Sequence, residues 1–191
     1  NTDVPLRTKL KLNVGFPTKS LADSMLPVDG VGLARIEFIL SAEVGIHPLA
    51  LVHHEALVRY HETGKMDECL EPFQTGLELQ TESDRSEMLS QIELMAAPHK
   101  DARHLFIDTL KEGVGLICAA FHPRPVLVRL SDLKSNEYKE LLGGRIFEPD
   151  EENPMIAWRG ASRYLDDDFR PASLILTKYF ERKKKSLHIK R

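Results

Sequence analysis

The sequence has only two cysteines and no long hydrophobic run, and each absence excludes a class of protein. Cys69 and Cys118 lack CxxC spacing, so neither a disulfide framework nor a thiolate zinc site is supported. No run approaches the roughly 18 apolar residues that a membrane-spanning helix needs. Asn1 opens a polar, charged stretch in place of the pattern of a secretion signal. We therefore expect a cytoplasmic protein without a membrane partner.

Common catalytic motifs are also missing. There is no recognisable Ser/His/Asp order and no GxxxxGK[ST] loop, so neither an activated-serine hydrolase nor a classical ATP cradle is indicated. Four of the eight histidines lie close together in sequence, but HExxH is absent. We therefore predict surface or helix-packing roles, and no metal site, for His47, His53, His54 and His61.

Charge is distributed unevenly along the chain. The formal net charge is −3, but residues 181–191 hold six Lys/Arg against one Glu and carry +5, so residues 1–180 carry −8. An acidic body binds a phosphate backbone poorly. We expect no nucleic-acid partner, and binding of nucleic acid through the basic tail is a third-ranked alternative.

Four apolar runs read as strands: LKLNVGF at 10–16, GVGLARIEFIL at 30–40, PVLVRLSDL at 125–133 and PMIAWRGASRY at 154–164. Several are nearly continuous, which is typical of a parallel sheet covered on both faces. Between the first two, Ser20 is predicted to cap a short helix that completes a βαβ unit. The prediction is an α/β fold.

The interval between the second and third strands is long and predominantly helical. Helices are predicted at 48–62, closed by Gly64, at 83–97, closed by Pro98, and at 102–121, weakened by Gly113 and Gly115. Residues 65–82 fit either a loop or an added hairpin. Four strand–helix units amount to about half of an eight-unit barrel of roughly 250 residues. The alternatives are a small open sheet or part of a larger enzyme.

Three of the predicted strands carry an arginine followed by small or polar residues: Arg35, Arg129 and Arg159. The carboxyl ends of parallel strands form a ligand-binding face. A guanidinium group offers a planar fork that matches phosphate or carboxylate oxygens. We predict that the three arginines converge on a small, multiply charged anion. The alternative is that each pairs with a local carboxylate such as Glu37, Asp132 or Asp166.

Two neighbouring features fit such a site without proving it. Gly30 and Gly32 precede Arg35 and permit close approach of the backbone to a phosphate, although tight strand packing explains them equally. Residues 131–154 form a polar loop, and long loops in compact domains are usually functional or disordered. There, Lys134 and Asn136 could reach an anion. The acidic residues that could hold the arginines or stay solvated are Asp150, Glu151 and Glu152.

The strings GVGLARIEFIL, VLVRLSDLKSNEY, LLGG and FEPDEENPMIAWRGASRY resemble the PEP/pyruvate-binding barrel of the PEP-utilising enzymes, specifically the phosphoenolpyruvate synthase branch. The resemblance runs from about Leu10 to about Ala172. It implies an incomplete TIM (β/α)8-type barrel, comprising about its first four β/α units. The implied domains are a partial PEP/pyruvate-binding domain at 1–172 and a divergent basic tail at 173–191.

The resemblance also implies an activity, namely the conversion of ATP, pyruvate and water to AMP, PEP and phosphate. By resemblance, Arg35, Arg129 and Arg159 bind the PEP phosphate and neighbouring oxygens. Asp132 also falls on a family position, and we assign it only to orienting the arginines. Stabilisation of the transferring phosphoryl group would be electrostatic. The whole enzyme is expected to use Mg²⁺ and ATP. The family's metal ligands and its protonating cysteine fall beyond the matched segments, and Cys118 cannot be that cysteine because it precedes Arg129.

We therefore expect a fragment of the enzyme, with PEP or pyruvate as small-molecule ligand. The remaining domains of the enzyme, and a homodimer, are the expected partners. Catalytic residues are not assignable within this chain. The second hypothesis is a non-catalytic remnant, or a half-barrel that binds a partner through its open sheet edges without turnover.

Overall fold

The structure is a computed structural model that describes residues 8–156 and 158–175. The chain divides into two compact units. The first comprises residues up to 43 together with 109–131, and the second comprises 44–108 together with the residues from 132 onward. Most of the predicted tail at 173–191 lies outside the described residues.

The first unit contains a parallel sheet with strand order β1-β2-β3. Its strands are β1 (Leu12–Val14), β2 (Val31–Arg35) and β3 (Val126–Arg129). β1 is followed by a 3-10 turn at Pro17–Lys19 and by α1 (Ser20–Ser24), so the predicted βαβ unit is confirmed. Ser20 does not cap α1, however. It is the first helical residue, buried, and its hydroxyl donates to the Phe16 carbonyl at 3.5 Å.

One face of the sheet packs against the C-terminal half of a long helix, α7 (Ala102–Phe121). The core cluster joins sheet and helix residues, namely Val14, Val31, Ala34, Ile117 and Phe121. The two glycines predicted to weaken α7 leave it continuous. A Cβ on Gly113 would lie 2.8 Å from Ile39 Cδ1, so the absence of a side chain there allows close packing. Burial of an apolar face outweighs the low helix propensity of glycine.

Gly30 serves the packing of the sheet. Its φ is +139°, and a Cβ there would lie 2.3 Å from the Pro125 carbonyl oxygen, which accepts the Val31 N–H at 2.9 Å. A Cβ on Gly32 would lie 3.0 Å from Lys11 Cβ. Both contacts support the strand-packing alternative, because each glycine faces other parts of the protein at close range.

The second unit holds most of the connection between β2 and β3. After β2 the chain forms α2 (Ile36–Ile39) and a π-helical turn at Leu40–Val44, and helices continue through this unit. They are α3 (Pro48–Val52), α4 (His54–Thr63), a 3-10 segment at Glu68–Phe73, α5 (Gln74–Glu78), α6 (Glu82–Ala96) and the start of α7. The prediction of a loop or hairpin at 65–82 is therefore wrong, since most of that segment is helical.

The helix predicted at 48–62 is two helices separated at His53, whose φ and ψ are −98° and 15°. Arg103 Nε and Nη2 donate to the Val52 carbonyl at 3.1 and 2.9 Å. This side chain supplies donors that the end of α3 would otherwise lack. Gly64, with φ +67°, ends α4 as predicted. The helix predicted at 83–97 is α6, which begins with a capping box between Thr81 and Asp84.

Beyond β3 the chain is helical and irregular, with α8 (Ser135–Lys139), α9 (Gly144–Phe147) and α10 (Ala161–Leu165). The strand predicted at 154–164 is therefore wrong. Its burial pattern is the reverse of what a buried strand requires, because Met155 and Ile156 are 58% and 84% exposed while Arg163 is 1% exposed. Within the described ranges, no helix is long and apolar enough to cross a membrane.

Candidate functional site

Arg35 and Arg129 lie side by side at the carboxyl ends of two neighbouring strands. They are the last residues of β2 and β3 and are register partners in the parallel pair. Ala34 and Val128, the preceding pair, pack on the α7 side of the sheet. Because successive side chains along a strand point to opposite faces, the two arginines share the other face. The sheet therefore places two guanidinium groups at one edge and on one face.

Arg129 forms an ion pair between its Nη2 and Glu37 Oε1. Glu37 lies in the first turn of α2 and is only 8% exposed. Glu37, one of the carboxylates named in the alternative, is thus a partner of Arg129, but it lies 92 residues away in sequence and is not local to it. Glu37 fixes the direction of this guanidinium and offsets part of its charge.

Arg35 has a different environment. Its Nε is buried and has no hydrogen-bond partner among the described residues. A buried donor without an acceptor costs free energy, and in native proteins such groups usually have a partner. An oxyanion at this edge of the sheet would supply the missing acceptor, and the neighbouring Arg129 would favour its charge.

Arg159 lies in the second unit and is held by Asp132 through two parallel bonds. Nε donates to Oδ1 at 3.0 Å and Nη2 donates to Oδ2 at 3.1 Å. This bidentate contact raises the pKa of Arg159 above its ordinary value. Asp132 therefore contacts one of the three arginines, and its role in orienting them stays a prediction. Asp132 lies 27 residues from Arg159 in sequence, so this partner, like Glu37 for Arg129, is brought in by the fold.

The peptide group that precedes Arg159 is held by several donors. The Trp158 carbonyl accepts from Arg163 Nε at 3.1 Å, from Arg163 Nη2 at 2.9 Å and from Ser135 Oγ at 3.4 Å. The Arg159 N–H donates to Ser162 Oγ at 3.4 Å, and the Trp158 N–H donates to Glu151 Oε1 at 2.9 Å. The backbone at Arg159 is therefore fixed from both sides.

The side chain of Arg163 is almost completely buried and its charge is paired. Nη1 and Nη2 both bind the Glu148 carboxylate, the latter at 2.7 Å. The guanidinium carbon lies 4.0 Å from the Trp158 ring centroid, 4.2 Å from that of Tyr138 and 5.0 Å from that of Phe169. These contacts match the preference of a cation for aromatic faces. Arg163 has both charge partners and stacking partners.

His47 completes the environment of Glu148. Its Nε2 lies 2.9 Å from Glu148 Oε1, and its Nδ1 accepts the Leu49 N–H at 3.2 Å, at the start of α3. Complete burial lowers the pKa of His47, although Glu148 opposes that shift. A neutral imidazole with its proton on Nε2 satisfies both contacts. We call His47, Glu148, Arg163 and the rings around Arg163 the Arg163 cluster.

The structure brings together two of the three predicted arginines, Arg35 and Arg129, while Arg159 belongs to the second unit. The acidic residues of the 148–154 segment differ in role. Asp150 pairs with Lys139 and is exposed, whereas Glu151 caps the Trp158 N–H. Lys134 precedes α8 as its N-cap.

The Arg163 cluster was not predicted, although WRGASRY contains a second arginine, Arg163, next to Tyr164. The usable signal was a second arginine four positions after Arg159 within the same predicted strand. For the histidines, helix packing is confirmed at His47 and His53, which are buried. In the described parts of the chain, no group of three or more His, Cys, Asp or Glu side chains is arranged to hold a metal ion.

Comparison with known proteins identifies the family. Residues 2–174 match the family described as PEP-utilising enzyme, PEP-binding domain. The chain belongs to this family. The match covers both strand-end arginines, Arg159 and the Arg163 cluster.

Similar curated proteins carry one name. The chain is 44% identical over 166 residues to phosphoenolpyruvate synthase of Synechocystis sp., covering 87% of this chain and 17% of that protein. It is 40% identical over 185 residues to the Aquifex aeolicus synthase, covering 87% of this chain and 22% of that protein. It is 39% identical over 168 residues to the Escherichia coli synthase, covering 88% of this chain and 18% of that protein. The chain thus spans about a fifth of the length of these relatives.

Proposed function

We propose that the chain is the PEP-binding part of a phosphoenolpyruvate synthase, in which Arg35, Arg129 and Arg159 bind the phosphate and neighbouring oxygens of PEP. The observation that carries the proposal is the side-by-side placement of Arg35 and Arg129 at the carboxyl ends of β2 and β3. The buried Nε of Arg35, which has no acceptor among the described residues, adds a donor that an oxyanion would satisfy. The names of the relatives agree with this ligand.

The role proposed for the arginines is electrostatic. Three fixed guanidinium groups favour the transition state of phosphoryl transfer by stabilising charge on the moving group, without forming covalent bonds. Glu37 and Asp132 hold Arg129 and Arg159 in place, so little side-chain entropy is lost when the anion binds. The three strands are proposed to form part of a TIM-type barrel whose remaining units lie outside residues 8–156 and 158–175.

Mg²⁺ and ATP are implied for the whole enzyme, but the described residues do not fit a magnesium site. The described ranges hold no cluster of three or more potential metal ligands. The acidic side chains that contact the arginines, Glu37 and Asp132, are engaged by guanidinium groups. We therefore assign this part of the chain to binding and orientation of the anion. A cytoplasmic location and a homodimer remain predictions.

Calorimetric titration of the chain with PEP tests the proposal. We expect Arg35→Ala and Arg129→Ala to reduce the binding heat strongly. Arg170→Ala is the matched control, because Arg170 is exposed and its only ion pair among the described residues is with the exposed Asp167. Equal heats from all four proteins would remove the proposed role. Titration with pyruvate separates phosphate from carboxylate recognition, since pyruvate lacks the phosphate and should bind far more weakly.

A second candidate function, a half-barrel that binds a partner without turnover, is favoured by one observation. Leu127 in β3 is 54% exposed although its neighbours in the strand are partly buried. Apolar residues exposed on a sheet favour association with another surface. Size measurement of the purified chain distinguishes the two, because a stable monomer that binds PEP contradicts the partner-binding candidate.

A further inference from the structure

The Trp158 carbonyl is the point at which the buried interior of the second unit meets the segment that carries Arg159. Among the described residues this carbonyl has three donors, and two of them come from one guanidinium group, that of Arg163. The same group is bound to Glu148, which is bound to His47 at the start of α3. A continuous chain of polar contacts therefore links the framework of this unit to the residue immediately before Arg159.

From these contacts we infer that Arg163 is a positioning residue for Arg159, a role that rests on the proposed function of Arg159 as an anion ligand. Arg163 sets the peptide plane from which the Arg159 side chain departs, and Asp132 fixes the guanidinium at its far end. Because the backbone and the guanidinium end of Arg159 are both held, the guanidinium group has a single orientation. Displacement of about 1 Å in such a group can reduce rates 10²-fold in enzymes.

Stability alone is a poor explanation for this arrangement. A buried ion pair is often replaced by apolar side chains of similar volume without loss of stability. Arg163 is 1% exposed and lies between three aromatic rings, so an apolar side chain of similar volume would also pack there. What an apolar side chain cannot do is donate two hydrogen bonds to the Trp158 carbonyl. A guanidinium group at residue 163 is therefore needed to hold the Trp158 carbonyl in place.

The test is the double substitution Arg163→Met with Glu148→Leu in the whole chain, which removes both buried charges and keeps apolar volume. The readout is hydrogen exchange of the Arg159 Nε–H, measured by NMR and assigned from its absence in Arg159→Lys. We expect exchange to become roughly tenfold faster or more, since charged donors to the preceding carbonyl are lost. Unchanged exchange in the folded double variant overturns the inference.

Two further variants make the result specific. Arg170→Met with Asp167→Leu removes an exposed pair from the same unit, and we expect exchange at Arg159 to stay at the wild-type value. Acceleration in this control as well would overturn the inference, because general loosening would then explain the effect. If the double variant does not fold, Arg163→Lys decides. Lysine has one nitrogen where Arg163 uses two, Nε and Nη2, on the Trp158 carbonyl, so that carbonyl loses at least one donor. Exchange equal to wild type overturns the inference.

A PEP titration of the same proteins separates this inference from the proposed function. If Arg159→Lys leaves PEP binding unchanged, the role of Arg159 as a ligand fails, whereas the exchange data still decide whether Arg163 positions it. If Arg159→Lys weakens binding and the double variant does not, although it folds, the positioning role fails and the proposed function stands. We expect both to weaken binding, with the double variant intermediate between wild type and Arg159→Lys.

Discussion

Removal of Arg163 alone should be among the most damaging single substitutions in the second unit. Arg163→Met leaves the Glu148 carboxylate buried, at 6% exposure, without its two charged donors. His47 can supply only one hydrogen bond to it. Breaking a buried ion pair from one side typically costs about 3–5 kcal/mol, because it leaves an uncompensated buried charge. The lost stacking on Trp158 and Tyr138 acts in the same direction.

Urea unfolding measures this cost. With a slope of about 1–3 kcal/mol per molar urea, a loss of 3–5 kcal/mol lowers the midpoint by about 1–3 M or more. The matched control is Arg170→Met, whose ion pair with Asp167 is largely exposed and should contribute about 0–1 kcal/mol. The second comparison is Arg163→Met with Glu148→Leu, which should recover most of the loss.

Either of two results would refute this expectation. If Arg163→Met and Arg170→Met lower the midpoint equally, burial of the pair has no energetic consequence. If the double variant is no more stable than Arg163→Met, the loss does not come from an unpaired Glu148 carboxylate. A second unfolding probe, such as fluorescence of the single tryptophan, Trp158, reports locally on the cluster and should follow the same transition.

Two further predictions concern glycines and pH. Gly76→Ala should lower the melting temperature markedly, because a Cβ there would lie 2.1 Å from the Ile146 carbonyl oxygen. Gly115→Ala should stabilise α7 by about 0.5–1 kcal/mol, because no described atom lies within 4 Å of the added Cβ. A similar effect of both substitutions on the melting temperature would contradict the packing. Burial and then the charge of Arg103 lower the pKa of His53 to about 4, below its ordinary 6.5. Its contribution to stability is therefore present above pH 6.5 and lost as pH falls toward 4, by about 2 kcal/mol after allowance for solvent screening. Urea midpoints at pH 7 and 5 should differ less in His53→Gln than in the wild type, and an equal pH dependence would contradict this.

Three of the four strands could be predicted from apolar runs, because these three runs pair with one another in a single sheet. Val31, Ala34 and Val126 pack with a helix face that the sequence also indicated. The fourth run has a similar composition, but which of its residues are buried depends on contacts with residues outside the run. Arg163 is buried because Glu148 neutralises it, and Glu148 is in turn tied to His47, which is 101 residues away. Local patterns contain no information about such a distant partner.

The same distinction separates the predicted and the missed parts of the site. The strand-end position of Arg35 and Arg129 follows from the order of residues within each run, and the register of the sheet then brings them together. The partners Glu37 and Asp132 lie close in sequence to a strand end, which is why they could be suggested. The Arg163 cluster assembles contacts from four separate segments, so it becomes visible only in three dimensions.

Pairing with a carboxylate and binding of an anion are compatible roles for one arginine. A guanidinium group has five N–H donors, and Asp132 engages the edge formed by Nε and Nη2 of Arg159. Within the described residues, Nη1 makes only a long contact of 3.9 Å with Met155 Sδ. The edge formed by Nη1 and Nη2 therefore retains donors for oxyanion oxygens. A carboxylate that holds one edge does not use the donors of the other edge, so the ion pairs of Arg129 and Arg159 are compatible with the proposed anion site.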